Sequence, residues 1–278
     1  MPDNRAIGVF DSGLGGLTVV KEIIKQLPEE NIVYFGDTGR VPYGPRSRDT
    51  IRKYAIEDER FLLSHNVKLI VAACGTVSSV AADTADILPV PFVEVVSHSV
   101  KAAVVATKNR KIGILGTAAT VNSGAHKKQI LSLLPDATVV QNSASLFVPL
   151  VEEGWYGAND PVVLNTVERY LEPLLSAGID TLILGCTHYP VLSGAISKIA
   201  GDGVKLINMG EATALSLKEQ LSKADSLNCK KEKGDIRFYV SDKADSFRRI
   251  ASILLGEDID DKKVEQVDIS AYDEKCTD

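Results

Sequence analysis

The sequence predicts an α/β fold: mostly parallel sheets flanked by helices, built as two similar halves around one cleft. Three observations carry this expectation. Short runs rich in Val and Ile are apolar on both faces, as buried parallel strands are. Stretches with helical spacing alternate with them, the order that packs helices onto a parallel sheet. A strand running into small or hydroxyl residues also recurs in the second half of the chain.

The first strand is expected at 7–10, where Ile-Gly-Val-Phe runs into Asp11, and helical spacing follows over 17–27. A second strand at 32–35 precedes a helix at 49–66. A third at 69–73 leads into Cys74, and a fourth at 92–95 is followed by helical spacing over 97–107. The pattern then restarts, with strands at 112–115 and 138–140, a helix at 160–177, and strands at 182–184 and 206–207. A helix at 211–222 and a strand at 237–240 complete the series. The acidic run Glu257-Asp258-Ile259-Asp260-Asp261 reads as a solvated loop.

The repeat is visible in the residues. Ala6-Ile7-Gly8-Val9-Phe10-Asp11-Ser12-Gly13 resembles Lys111-Ile112-Gly113-Ile114-Leu115-Gly116-Thr117. Further on, Leu69-Ile70-Val71-Ala72-Ala73-Cys74-Gly75-Thr76 matches Leu182-Ile183-Leu184-Gly185-Cys186-Thr187-His188. Two half-sheets facing one cleft would explain both pairs. Ligands of open α/β sheets bind beyond the carboxyl ends of the strands, where both cysteines fall.

Composition narrows the function classes. The hydrophobic fraction of 45% and charged fraction of 24% are those of an ordinary globular protein. A net charge of −6 argues against a nucleic-acid or anionic-membrane surface. No stretch approaches the roughly 20 apolar residues of a membrane span. Met1-Pro2-Asp3-Asn4-Arg5 lacks the charged-then-apolar pattern of a signal. The cytoplasm is therefore expected, where the four cysteines would be reduced thiols.

Cys229 and Cys276 read as plain small side chains. Cys74 and Cys186 each end a buried strand and are followed at once by small or hydroxyl residues. A strand end opening into a helix offers free N–H groups and a positive dipole end, which bind carboxylates and lower a thiol pKa. His188 and Asp11 stand where they could hold or relay a thiol proton. Rival motifs fail. Gly13-Leu14-Gly15-Gly16-Leu17-Thr18 has Thr18 where G-x-G-x-x-G needs its last glycine. There is no phosphate-binding P-loop, no G-x-S-x-G, no C-x-x-C and no H-E-x-x-H. No lysine sits at a strand end in a small-residue loop, where a Schiff base would be sought.

Taken in order, several short motifs resemble the glutamate racemase family. They are Asp11-Ser12-Gly13 with Gly15-Gly16-Leu17-Thr18, Gly36-Asp37-Thr38, Pro42-Tyr43-Gly44 and Cys74-x-Thr76. Phe147-Val148-Pro149-Leu150-Val151-Glu152 and Leu184-Gly185-Cys186-Thr187-His188-Tyr189-Pro190 complete the set. The resemblance implies a cofactor-independent racemase supplying D-glutamate for bacterial peptidoglycan, with its site between two pseudo-symmetric domains. These would be 1–97 plus 211–278, carrying Cys74, and 98–210, carrying Cys186. It implies that Cys74 and Cys186 are the acid/base thiols, with Asp11 assisting the first and His188 and Glu152 the second. Ser12, Pro42, Tyr43, Gly44, Gly75, Thr76, Thr117, Thr120, Thr187 and His188, with Asp11, would contact the substrate. Family members are commonly homodimers.

One position departs from the family pattern. Gly75 stands where an Asn is usual, so a side-chain amide to the substrate is missing. Such a bond to a charged group contributes on the order of 1.5–3 kcal/mol, unless water or the Gly75 N–H replaces it. The reaction itself explains a need for two thiols. Racemisation removes a Cα proton from one face and returns one to the other, which two opposed groups do without moving. An aspartate or broader racemase, a cysteine hydrolase and a dicarboxylate-binding protein are the competing readings. His188 favours glutamate over aspartate.

Overall fold

A computed structural model describes residues 2–242, 244–256, 258–260 and 263–273. The chain begins with β1 (Ile7–Asp11), α1 (Leu17–Gln26), β2 (Ile32–Gly36), α2 (Arg48–Ser64), β3 (Leu69–Ala72), α3 (Gly75–Val80) and β4 (Phe92–Glu94). It continues with α4 (Val95–Ala106), β5 (Lys111–Gly116), α5 (Ala118–Ser123), α6 (Ala125–Leu133), β6 (Thr138–Ser143), α7 (Phe147–Glu152) and α8 (Pro161–Ser176). Then come β7 (Thr181–Gly185), α9 (Ser193–Ala200), β8 (Lys205–Asn208), α10 (Met209–Lys223), β9 (Ile236–Val240), α11 (Ala244–Leu255) and β10 (Val264–Gln266).

All nine expected strands are present, and every pairing among the described strands is parallel. The first sheet has the order β10-β9-β2-β1-β3-β4 and the second β6-β5-β7-β8. The run β2-β1-β3-β4 thus recurs as β6-β5-β7-β8, which is the duplication seen in the residues. β1, β2, β3 and β7 are buried along their whole length, as their two-faced apolarity requires. β10 was not foreseen. Val264-Glu265-Gln266 has one apolar residue and forms an outer edge, where burial leaves no pattern to read.

Helix starts follow local chemistry. The side chains of Ser47, Glu94, Asp160 and Asn208 accept N–H bonds at the N-termini of α2, α4, α8 and α10. Leu17, Val19, Val20 and Ile23 are the buried apolar face of α1. The expected domain boundaries, after 97 and after 210, fall inside α4 and α10. One apolar cluster runs through these helices into both sheets, joining Ile7, Val9 and Val100 to Ile114, Ile183 and Leu217. Of the acidic run, Asp258-Ile259-Asp260 has no regular structure, as a loop would. Glu257, Asp261 and Cys276 lie outside the described residues.

Candidate active site

Four strand ends supply the site. Asp11 ends β1, and Cys74 is the N-cap of α3 after β3. Thr117 caps α5 after β5, its side chain accepting from Thr120 N–H, and Cys186 follows β7. Two buried tyrosines pin the turns in place. Tyr34 donates to the Gly13 carbonyl at 2.8 Å, and Tyr189 shares its one O–H between the carbonyls of Gly116 and Ala144, at 3.0 and 2.9 Å. The Tyr-Pro after His188 is thus part of the scaffold under Cys186.

The Cys74 thiol donates to Ser12 Oγ at 3.5 Å. Burial pushes its pKa up to about 12, and the charge of Asp11 adds to the rise. The Ser12 hydroxyl and the Val77 N–H at the start of α3 pull the other way, and so less strongly. The expectation that the helix end would lower this thiol is therefore corrected, because burial and a neighbouring carboxyl outweigh a six-residue helix. Asp11 itself is raised by burial, against the charge of His188 and the N–H groups of Gly13 and Gly16.

Cys186 has different company. Its Sγ lies 3.8 Å from His188 Nδ1, and His188 Nε2 lies 3.2 Å from Glu152 Oε1. Burial opposes charge on the imidazole. The hydrogen bonds to Cys186 and Glu152 overcome it, and the His188 pKa rises to about 10. Glu152, at the end of α7, thus backs the histidine that faces the second thiol.

The halves meet through hydroxyls. Thr76 Oγ1 lies 3.1 Å from Thr117 Oγ1, which lies 3.0 Å from Thr120 Oγ1. On the other side Thr187 Oγ1 donates to Asp11 Oδ2 at 3.3 Å. Each thiol-bearing turn therefore touches the opposite sheet. The charge of Cys186 acts on Cys74, so the two thiols share one electrostatic neighbourhood. Among the described residues no three His, Cys, Asp or Glu side chains converge as metal ligands.

Asp11, Ser12, Cys74, Thr76, Thr117, Thr120, Glu152, Cys186, Thr187 and His188 are thus brought together where the two halves meet. Gly44 joins them by its backbone, for a Cβ there would stand 3.4 Å from Thr117 Cβ. The Tyr43 side chain does not. Its buried phenol donates to Asp37 and also lies 3.0 Å from Asp58 Oδ2, and so anchors the loop. Pro42 is exposed. Gly75 lies against the other half, where a Cβ would stand 2.6 Å from the Gly185 carbonyl oxygen and 3.3 Å from Met209 Cε. A side chain at this position would therefore meet backbone of the other half.

Sequence reasoning missed the anchor beneath the Tyr43 loop. Arg40 binds Asp37 at 2.5 Å, Asp58 at 3.0 Å and Glu57, and its guanidinium lies 4.1 Å from the Tyr54 ring centroid. Glu57, Asp58 and Glu59 are consecutive charged residues of α2, and all three are buried.

The Asp/Glu/hydantoin racemase family model matches residues 7–217. A glutamate racemase of Geobacter metallireducens is 42% identical over 97% of this chain and 99% of its own. One from Neisseria meningitidis is 46% identical over 91% of this chain and 93% of its own. The crystal structure of the Francisella tularensis glutamate racemase in complex with D-glutamate superposes with a TM-score of 0.89 at 38% identity. It covers 97% of this chain and 100% of that one.

Proposed function

The chain belongs to the Asp/Glu/hydantoin racemase family, and from that premise we propose how it interconverts L- and D-glutamate. Cys74 and Cys186 take opposite faces of the substrate Cα. One, as thiolate, removes the Cα proton, and the other, as thiol, gives its own proton to the opposite face. The two cysteines end the cycle with their protonation states exchanged, and proton exchange with solvent resets them. The reverse reaction uses the same groups in reversed roles.

The observation that carries this reading is the placement of one cysteine on each of two equivalent strand ends, with the turns that bear them joined to the opposite half by Thr76 with Thr117 and by Thr187 with Asp11. The residues around them fit the task. His188, held protonated by its partners, stabilises a thiolate on Cys186, and Asp11 and Ser12 handle the proton of Cys74. Thr76, Thr117, Thr120, Thr187 and Ser12 offer hydroxyls, and the loop at Pro42-Tyr43-Gly44 offers its backbone, to the carboxylates and ammonium of the substrate. Positioned acid/base groups of this kind contribute about 10²–10⁴-fold in rate.

No helix among the described residues is long and apolar enough to cross a membrane. A cytoplasmic homodimer, with domains 1–97 plus 211–278 and 98–210, completes the reading. No cofactor enters it, and the D-glutamate made serves peptidoglycan, as the resemblance implies.

Turnover in deuterated water tests the mechanism. Deuterium should enter the product enantiomer from the start, while recovered substrate stays protiated early on. Cys74→Ala and Cys186→Ala should each abolish racemisation, and each should keep exchange of the one enantiomer whose Cα–H faces the surviving thiol. Equal early deuteration of both enantiomers, or racemisation by either single variant, would overturn the two-thiol mechanism.

A further inference from the structure

The residue that breaks the glycine pattern of the first loop has a structural use. Thr18, the second residue of α1, is buried, and its Oγ1 donates to the Thr187 carbonyl of the other sheet at 2.8 Å. The same hydroxyl lies 3.0 Å from the Gly15 carbonyl, but that oxygen already accepts the Thr18 N–H at 3.0 Å. The Thr187 carbonyl joins Thr187 to His188, so it sits between Cys186 and the imidazole beside it. Thr187 is held from a second direction by its own hydroxyl on Asp11. Gly15 closes the seat, since a Cβ there would overlap Thr187 Oγ1 and stand 2.5 Å from His188 Nδ1.

We propose that Thr18 is a positioning residue for the second thiol. Its hydroxyl docks the Cys186-Thr187-His188 turn onto the first half of the molecule and so aims Cys186 and His188 at the substrate. The proposal rests on the two-thiol reading above. A buried carbonyl deprived of its donor shifts or takes up water, and a misplacement of about 1 Å at a reacting group can cost about a hundredfold. The Cys74 turn has a seat of its own, Thr76 on Thr117, so the effect should fall mainly on the proton transfer at Cys186.

Thr18→Val keeps the shape and removes the donor, and Thr18→Ser keeps the donor. In Thr18→Val, turnover should fall roughly ten- to a hundredfold, with thermal stability measured alongside. Thr18→Ser should restore most of it. The primary isotope effect with Cα-deuterated substrate should rise for the enantiomer that Cys186→Ala no longer exchanges. For the other enantiomer it should fall, because abstraction by Cys74 becomes less limiting. A Thr18→Val enzyme with normal turnover, or with slowed turnover and both isotope effects unchanged, overturns the role of Thr18 and leaves the two-thiol mechanism standing. Racemisation by Cys186→Ala would instead remove the mechanism on which the role depends.

Discussion

Around Cys74 the structure gathers a buried carboxyl and a serine hydroxyl. Around Cys186 it gathers an imidazole backed by a carboxylate. The two cysteines hold equivalent places in sheets of the same strand order, so the backbone frame is a near copy. The proton partners are not copied. One thiol is held in its neutral form, and the other faces a positive charge. A racemase must treat mirror-image substrates with an equilibrium constant of one, yet nothing requires its two bases to be alike. Symmetry of the product mixture rests on the substrate, whereas the surroundings of the two thiols differ.

His188→Asn should have the largest effect. Removing the imidazolium should lower turnover by about 10²–10⁴-fold, with the isotope effect rising only for the enantiomer served by Cys186. The variant should also lose the alkaline limb near pH 10, where wild-type His188 gives up its proton. His188 binds its proton more tightly in the folded protein than in the unfolded chain. The contribution of His188 is full below about 6.5 and is lost as pH rises through about 10. Melting curves of wild type and variant should therefore converge across that window. A wild-type profile flat through pH 10 would contradict the ion-pair account of Cys186.

Asp11→Asn tests the other side. It removes the charge that helps hold Cys74 neutral, so alkylation of Cys74 by iodoacetamide near pH 8 should quicken roughly tenfold, one pKa unit's worth. In the wild type Cys186 should be alkylated before Cys74, and peptide mapping would show the order. The reverse order would invert the comparison.

Gly75→Ala probes the spacing of the halves. Its Cβ meets a backbone oxygen that cannot swing away, and overpacking of this kind costs about 1–3 kcal/mol. We expect a rise in KM of roughly tenfold, larger still for Gly75→Asn, and an unchanged KM would show that the halves part freely. Glu152→Gln should do least. It weakens the hold on the His188 proton and moves the alkaline limb down by on the order of one unit, with turnover falling only a few-fold.

Much of this was legible in the residues. The buried strands announced themselves because Val and Ile facing both ways leave no other reading, and Cys74, Cys186, Thr76 and Thr187 lay at their ends. Glu152 came only through the resemblance, since nothing in Val-Glu-Glu-Gly points toward a histidine in another element. Tyr43 was placed with its loop rather than with its phenol, because a turn motif does not say which way the side chain goes. Thr18 read as a defect in a nucleotide loop, its true partner being distant in sequence. The thiol of Cys74 was misjudged for the same reason. A helix N-terminus is local, whereas burial and the charge of Asp11 are products of the finished fold.

The threading of the chain bears on how the molecule is born. β5 to β8 are contiguous, spanning 111–208, whereas the first sheet takes β1 to β4 from one side of that segment and β9 and β10 from the other. During synthesis the second sheet can therefore close on the ribosome while the first still waits. Until residues 236–240 emerge, β2 presents an unpaired parallel edge whose eventual partner is β9. Pairing so distant in sequence is slow. The nascent chain can thus hold the sheet that leads into Cys186 assembled while the sheet that leads into Cys74 still lacks β9 and β10.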